Sequence, residues 1–311
     1  MRTQRIMQFC LLALVSSLDN TASAQSNVQL SIEHVQGSVY MISRPGGGGN
    51  IGASIGDDGV LLVDSLFEPM ADSLVAAVRS VSDQPIRFLI NTHVHPDHIG
   101  GNEPLRDIGV LIFAHDNTRS RFLFERNRVP RRGGSFATAP SERARPEITF
   151  DSEVGFHVNG EEVRAFLAPP AHTDGDVFVY FPESDVLHLG DVFRTTSYPI
   201  MDIFNGGSLR GTIAALDLAI EMAGPNTKVI PGHGLEVVDR DSMIEFRDMI
   251  LDVQNQVNDM IQQGMHLDEI MEANVTGVYD AKWGQEAGWT AIDFVPIVYY
   301  QLGGSGRIED R

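Results

Sequence analysis

One stretch, Asn91-Thr-His-Val-His-Pro-Asp-His-Ile-Gly-Gly101, restricts what this chain can fold into more than any other. It holds His93, His95, Asp97 and His98 within six positions. The apolar run at residues 86–91 reads as a strand leading into it, so His93 and His95, two apart, project from one face. Pro96 then turns the chain and returns Asp97 and His98 toward the same point. Three imidazoles and a carboxylate packed this closely repel one another or stay unsatisfied unless a cation joins them. Nitrogen and oxygen are the ligands zinc accepts where thiolate is absent. Four such donors exceed what one tetrahedral ion draws from a local segment, which points to two ions. The fold must bring further ligands to the end of that strand.

Thiolates are not among them. The only cysteine, Cys10, lies in a segment that reads as a signal peptide over residues 1–24. Arg2 and Arg5 give it a basic start, residues 6–18 are apolar, and Ala22-Ser23-Ala24 is a small-residue cleavage pattern before Gln25. The run is shorter than the roughly 20 residues a membrane span needs, and no later apolar stretch is long enough. The chain is therefore expected to be exported, with the periplasm as its compartment, and to form one domain over residues 25–311. Without cysteine that domain has neither disulfides nor thiolate ligands. A formal charge of −19 repels phosphate backbones, which argues against nucleic acid and for a small-molecule partner.

Short β-like runs occur at residues 28–33, 39–42, 51–55 and 60–64, the last two joined by Asp57-Asp58-Gly59, a hairpin turn signal. Leu74, Ala77, Val78 and Val81 give residues 70–81 helical spacing. A strand at 110–114 and a polar, Arg-rich helix at 116–127 follow. Residues 128–147, with three prolines and five arginines, read as an irregular loop, a kind that is commonly functional or disordered. Strands are expected again at 153–158, 162–168, 176–181, 186–190 and 228–230, with Asn159-Gly160 as a hairpin turn. Helices are expected at 209–223 and 241–263, the second stopped by Gly264. The order β-rich, helix, β, helix thus occurs twice with no dividing linker, which suits two sheets packed face to face under outer helices. His172, Asp191 and His233 (in Pro231-Gly-His-Gly234) all fall at strand ends, where a scaffold presents rigid side chains to solvent.

In this order, HxHxDH, a later single His, an Asp after Leu-Gly and a later Gly-His-Gly form a signature. From about residue 28 to at least residue 265 the chain resembles the metallo-β-lactamase superfamily. The resemblance implies an α/β fold, the αββα four-layer sandwich, with two zinc ions in a cleft at the sheet edges; iron and manganese are the other metals such a site takes. His93, His95 and His172 resemble the ligands of the first zinc, and Asp97, His98 and His233 those of the second. Asp191 sits where the family places its bridging carboxylate. The nucleophile implied is a hydroxide between the ions, with Asp97 as the catalytic residue that accepts or relays the water's proton.

Two subgroups are mixed in this sequence. Asn91-Thr-His-Val-His and Ala171-His-Thr-Asp-Gly-Asp-Val-Phe-Val-Tyr-Phe-Pro182 resemble the zinc β-lactamases that use a cysteine ligand. Those enzymes have Cys at the Asp191 position and, three residues on, a Lys that grips the substrate carboxylate. Here Asp191-Val-Phe-Arg194 stands in that place, and Arg can grip a carboxylate bidentately. An Asp at this position resembles thioesterases and lactonases. Asn205, before Gly206-Gly207, resembles a β-lactamase oxyanion-side Asn. Arg194 and Asn205 are thus the expected substrate-binding residues, Tyr198 a packing residue, and at most one of His115 and His188 a group orienting a ligand. The expected reaction is hydrolysis of a β-lactam or lactone ring, with thioester cleavage of the glyoxalase II kind as the alternative and phosphodiester cleavage behind it.

Overall fold

Two-residue turns join the first and second and the third and fourth apolar runs, and a seven-residue loop joins the second to the third, so the runs pair in sequence order. β1 (Ser31–Gln36), β2 (Val39–Ser43), β3 (Ile51–Gly56) and β4 (Gly59–Val63) form an antiparallel meander. A crossover through α1 (Ala71–Arg79) then sets β5 (Ile86–Ile90) parallel to β4, as helical connections do. Beyond α2 (Pro96–Ile99) and α3 (Asn102–Asp107), β6 (Leu111–His115) continues the parallel half. After α4 (Asp116–Arg121), β7 (Arg126–Asn127) pairs with β8 (Phe136–Ala137), and β9 (Ile148–Phe150) completes a seven-stranded sheet beside β6. The computed structural model describes residues 29–127, 136–137, 139–286 and 288–306. The signal peptide expected over residues 1–24 and much of the 128–147 stretch lie outside them.

The second sheet runs β10 (Glu153–Val158), β11 (Glu161–Leu167), β12 (Val177–Phe181), β13 (Val186–His188) and β14 (Lys228–Ile230). Its neighbours are antiparallel except β13 and β14, which are parallel. Asn159 and Gly160 join β10 to β11 with φ of 54° and 82°, the double positive φ that a two-residue hairpin of right twist requires.

Alternation along the strands divides the apolar side chains into layers. Met41, Leu61, Val63 and Ile90 of the first sheet meet Val163, Val177, Val179 and Phe181 of the second in a core between the sheets. On the outer face of the first sheet, Leu62, Leu89 and Ile112 cover Leu74 and Val78 of α1. Outside the second sheet, Phe178, Leu187 and Val229 pack on α5 (Leu209–Met222), α6 (Arg240–Gln262) and α9 (Ala291–Gln301). The architecture is the αββα sandwich. β4 is buried along its whole length, as befits a strand covered on both faces. Among the described residues no helix is long and apolar enough to cross a membrane.

Three features differ from the sequence reading. The helix expected over 116–127 stops at Arg121, because Phe122 turns inward and is wholly buried beside Val94, Ile99 and Ala144. Arg143 and Arg145 of the irregular stretch pair with nearby acids, Arg143 with Asp107 and Glu103 and Arg145 with Glu142. The third is a set of unanticipated C-terminal helices: α7 (Leu267–Glu272), α8 (Asp280–Trp283) and α9. In α9 Phe294, Val295, Ile297, Val298 and Tyr299 are all buried, so no single apolar stripe marks it in sequence.

Phe178 stands at the interface of the second sheet with its helices, fully buried. Phe178→Ala is expected to lower the unfolding free energy by about 3–5 kcal/mol. Val278→Ala, at a position 82% exposed, should change it by less than about 0.5 kcal/mol. Urea unfolding, with the denaturant slope unchanged, checks the contrast.

Candidate metal centre

Strand ends deliver the seven expected ligands to one place. His93 and His95 follow β5, Asp97 and His98 lie in α2, and His172 follows β11. Asp191 sits in a 3-10 turn (Gly190–Val192) after β13, and His233 follows β14. One donor atom from each of His93, His95, His172 and Asp191 lies within 4.8 Å of the others, as do donors of Asp97, His98 and His233. Asp191 joins the two groups: Oδ1 is 3.1 Å from His98 Nε2 and 3.2 Å from His233 Nε2, and Oδ2 is 3.7 Å from His172 Nε2. Gly232 must be glycine for this approach, since a Cβ there would sit 2.4 Å from Asp191 Oδ1.

Hydrogen bonds on the far side of each ring decide which nitrogen faces the centre. His95 Nε2 donates to Asp202 Oδ2 at 2.7 Å, leaving Nδ1 toward the centre. His172 Nδ1 donates to the Ile200 carbonyl at 2.5 Å, leaving Nε2. Those two inward nitrogens are 2.7 Å apart, with both ring protons committed elsewhere. His98 Nδ1 is 2.7 Å from Asp64 Oδ2. Thr92 Oγ1 donates to that same Asp64 oxygen and accepts from His93 Nδ1 at 3.0 Å. His93 Nε2 is then buried with no hydrogen-bond partner, and His98 Nε2, His233 Nε2 and Asp191 Oδ1 crowd together at 3.1–3.2 Å with no well-aligned hydrogen bond among them. Buried polar atoms rarely stay unpaired, and lone pairs do not converge on one another without a cation. The residues fit a metal site.

The electrostatics divide the two groups. Burial, with His98 and His172 adding to it, holds His93 well below the ordinary imidazole range. Burial and then His95 bring His172 down to about 3. Both are neutral ligands in waiting. Burial would lower His98 as well, but Asp191, Asp64 and Asp97 together outweigh it and raise this imidazole well above its usual value. His233 is raised too: Asp191 and Asp97 prevail over burial and Arg194. The carboxylates respond in the opposite sense. Against burial, His98 and His233 hold Asp97 far down, and His233, His98 and Arg194 do the same for Asp191.

The two expected substrate-binding residues are placed differently. Arg194 is 1% exposed. Its Nη1 reaches Asp191 Oδ2 at 3.2 Å and its Nη2 reaches Glu286 Oε2 at 2.8 Å. Both terminal nitrogens are thus spent on protein carboxylates, which makes Arg194 a support for Asp191 instead of a grip on substrate. Asn205 is fully buried, and its Nδ2 donates to Asp202 Oδ2 at 2.7 Å, so it stands behind His95 and away from the cleft. Tyr198 packs, stacked on Phe294 at 5.1 Å with its hydroxyl on Asp280. His115 caps α4, while His188 accepts from the amide of Gly190, the residue before Asp191. Sequence reasoning missed Asp64, Asp202 and Asp176. Asp64 ends an all-apolar strand with φ of 69°, and an acid closing such a run was the available signal. Asp176 accepts from the amides of His172 and Thr173 and from Thr173 Oγ1, fixing the turn that carries His172.

Comparisons with known proteins bear on family and fold. A family model described as the Metallo-beta-lactamase superfamily matches residues 44–260. A linear primary-alkylsulfatase of Pseudomonas sp. is 25% identical over 255 residues, 69% of this chain and 48% of that protein. The type 2 metallo-beta-lactamase of Bacillus cereus is 22% identical over 193 residues, covering 62% of this chain and 69% of its own. Among solved structures, the inverting sec-alkylsulfatase Pisa1 from Pseudomonas sp. superposes with a TM-score of 0.66 at 18% identity, over 89% of this chain and 51% of its own. A metallo-beta-lactamase from Pontibacter korlensis gives 0.56 at 18% identity, over 72% of this chain and 100% of its own. These two structural likenesses speak for the fold alone. The chain spans about half the length of the alkylsulfatases it matches.

Two outcomes follow from the centre. Asp202→Ala frees the His95 ring and should weaken metal affinity by about 10- to 100-fold, measured by competition with a chromogenic chelator, while the fold by circular dichroism is unchanged. Metal loading at pH 7 should release protons, because His98 and His233, raised when metal-free, must shed theirs to become ligands. Acidification reverses this, so affinity should fall as pH drops. Calorimetry in buffers of different ionisation enthalpy reads the proton count directly.

Proposed function

The chain belongs to the metallo-beta-lactamase superfamily, and on that premise we propose that it is a two-metal hydrolase acting on small anionic esters or amides. The observation carrying this is the convergence of seven candidate ligands, four of them with a buried donor atom that lacks a well-aligned hydrogen-bond partner, beside a cleft of about 790 Å³. The donor set, all nitrogen and oxygen, suits zinc, with iron and manganese as alternatives. When bound, such ions lower the pKa of water toward neutrality and polarise the substrate oxygen.

The chain's own residues supply the rest. Asp97 lines the cleft together with His233, its Oδ2 3.2 Å from His233 Nε2. Of the ligand carboxylates it is the one the cleft reaches, so it is the group placed to take a proton from water and return it to a leaving atom. His233, His98 and Arg194 keep Asp191 ionised, and Glu286 holds Arg194 in place beneath it. Phe67 and Leu235 offer apolar walls.

A β-lactam or lactone ring carrying a carboxylate fits this arrangement, with the HxHxDH segment and the Bacillus cereus likeness in support. An alkyl sulfate ester is the second reading. It is favoured by the likeness to the linear primary-alkylsulfatase, which covers more of this chain than the Bacillus cereus β-lactamase likeness does. Thioester cleavage shares the carboxylate at Asp191. Export through the leader at residues 1–24, into the periplasm, belongs to the same reading.

The zinc-loaded full chain should hold two ions by elemental analysis and turn over a cephalosporin, a lactone, dodecyl sulfate or a glutathione thioester, with activity lost on chelation. His95→Ala should lose metal and nearly all turnover. Trace metal after reconstitution, or a fully loaded protein inert to the whole panel, would sink the reading.

A further inference from the structure

Beside the ligands stands a cation with no assigned task. Arg44 follows β2 and opens the loop Arg44-Pro-Gly-Gly-Gly-Gly49. Arg44 and Lys282 are the cationic side chains of the cleft that Asp97 and His233 also line. Lys282 is engaged: it pairs with Glu245 and lies 4.8 Å over the Trp283 ring. Glu286, the cleft's other acid, is tied to Arg194. Arg44 has no carboxylate partner among the described residues. Its one hydrogen bond there runs from Nη1 to the carbonyl of Gly47 at 3.2 Å, and its Nε is buried with none.

We infer that Arg44 is the residue that reads the substrate's charge, and that the substrate class is a small amphiphilic anion: a carboxylate, sulfate or sulfonate on an apolar body resting against Phe67 and Leu235. A guanidinium is a planar fork of donors matched to the oxygens of such groups, and an arginine without a carboxylate partner is free to use it. The loop is built to leave the way open. Gly46, Gly47 and Gly48 have φ of 97°, 101° and 116°, a backbone that glycine adopts readily and other residues resist. No heavy atom lies within 4 Å of a Cβ placed at Gly46 or Gly47, so the space above the loop is empty. The chain's charge of −19 repels anions at long range, so a cationic side chain on the cleft wall adds to whatever attraction bound metal supplies and can orient the anion's oxygens. The anchoring role expected of Arg194 thus passes to a residue on the opposite side of the sequence signature.

This inference deepens the proposed function and rests on it for turnover, but not for binding. The test is calorimetric titration of the zinc-loaded full chain with octane-1-sulfonate, whose C–S bond resists hydrolysis, and with octan-1-ol as the neutral control. Wild type should bind the sulfonate more tightly than the alcohol. Arg44→Ala should weaken the sulfonate about 10- to 100-fold while alcohol affinity and metal content stay at the wild-type level, and Arg44→Lys should recover part of the loss. Equal sulfonate affinity in Arg44→Ala and wild type overturns the assignment, as does an equal loss for sulfonate and alcohol. Failure of the hydrolysis panel would remove the hydrolase reading, and the sulfonate titration would still decide the role of Arg44.

Discussion

Like groups crowd at this sheet edge, and everything around them is arranged to make that crowding tolerable. Five imidazoles and two carboxylates present their donor atoms to one small volume. Left to themselves the rings would turn and pair with one another. They do not, because an outer set of acceptors holds each ring from behind: Asp64 for His98, Thr92 for His93, Asp202 for His95 and the Ile200 carbonyl for His172. Asp64 is the keystone of that set. Fully buried, it accepts from the Thr92 amide, the Thr92 hydroxyl and His98, so one carboxylate fixes both the exit of β5 and the ring two residues past Pro96. Its positive φ is a strained choice for a non-glycine residue, and three charge-assisted bonds are what hold it there.

The sandwich supplies the rigidity this requires. β4, β5, β11, β13 and β14 all end near the same edge, and each is packed on both faces before it ends. A ligand at the end of such a strand inherits the strand's position, whereas the loops beyond the edge are free to differ among relatives. Asp191 shows how far the dependence extends. It is held by Arg194, which is held by Glu286 in the segment after α8, so the C-terminal helices are linked through two ion pairs to the ligand shared by both groups. Removing one partner from a buried pair commonly costs about 3–5 kcal/mol, so this link is strong enough to matter to metal retention.

What could be read from sequence divides by sequence distance. The HxHxDH segment is local, and its chemistry is visible because four ligands lie within six residues. Strand ends at His172, Asp191 and His233 were visible from the apolar runs before them. The groups that orient the ligands were not: Asp64 lies 34 residues from His98, Asp202 lies 107 from His95, and Glu286 lies 92 from Arg194. Nothing in a linear pattern relates such pairs. The layered fold was legible from the doubled order of strands and helices, yet α9 escaped because a helix buried all round has no stripe to betray it.

Arg194 and Arg44 show why position in a signature is a poor guide to a side chain's task. Asp191, which stands between the two ligand groups, bears a negative charge, so a cation three residues on is drawn under it, where burial strengthens the attraction. A neighbour of that kind serves the ligand before it can serve a substrate. With Arg194 tied to Asp191 and Glu286, it has no terminal nitrogen left for a substrate, and the glycine loop after β2 brings Arg44 to the cleft with no carboxylate partner among the described residues. In a chain this acidic, a cation left without a carboxylate partner stands out, because carboxylates outnumber lysine and arginine 42 to 23. Pairing is the ordinary fate of an arginine among so many acids. Among the described residues Arg44 escapes it, at the rim of the cleft that Asp97 and His233 line, and that is the arrangement a small anion can use.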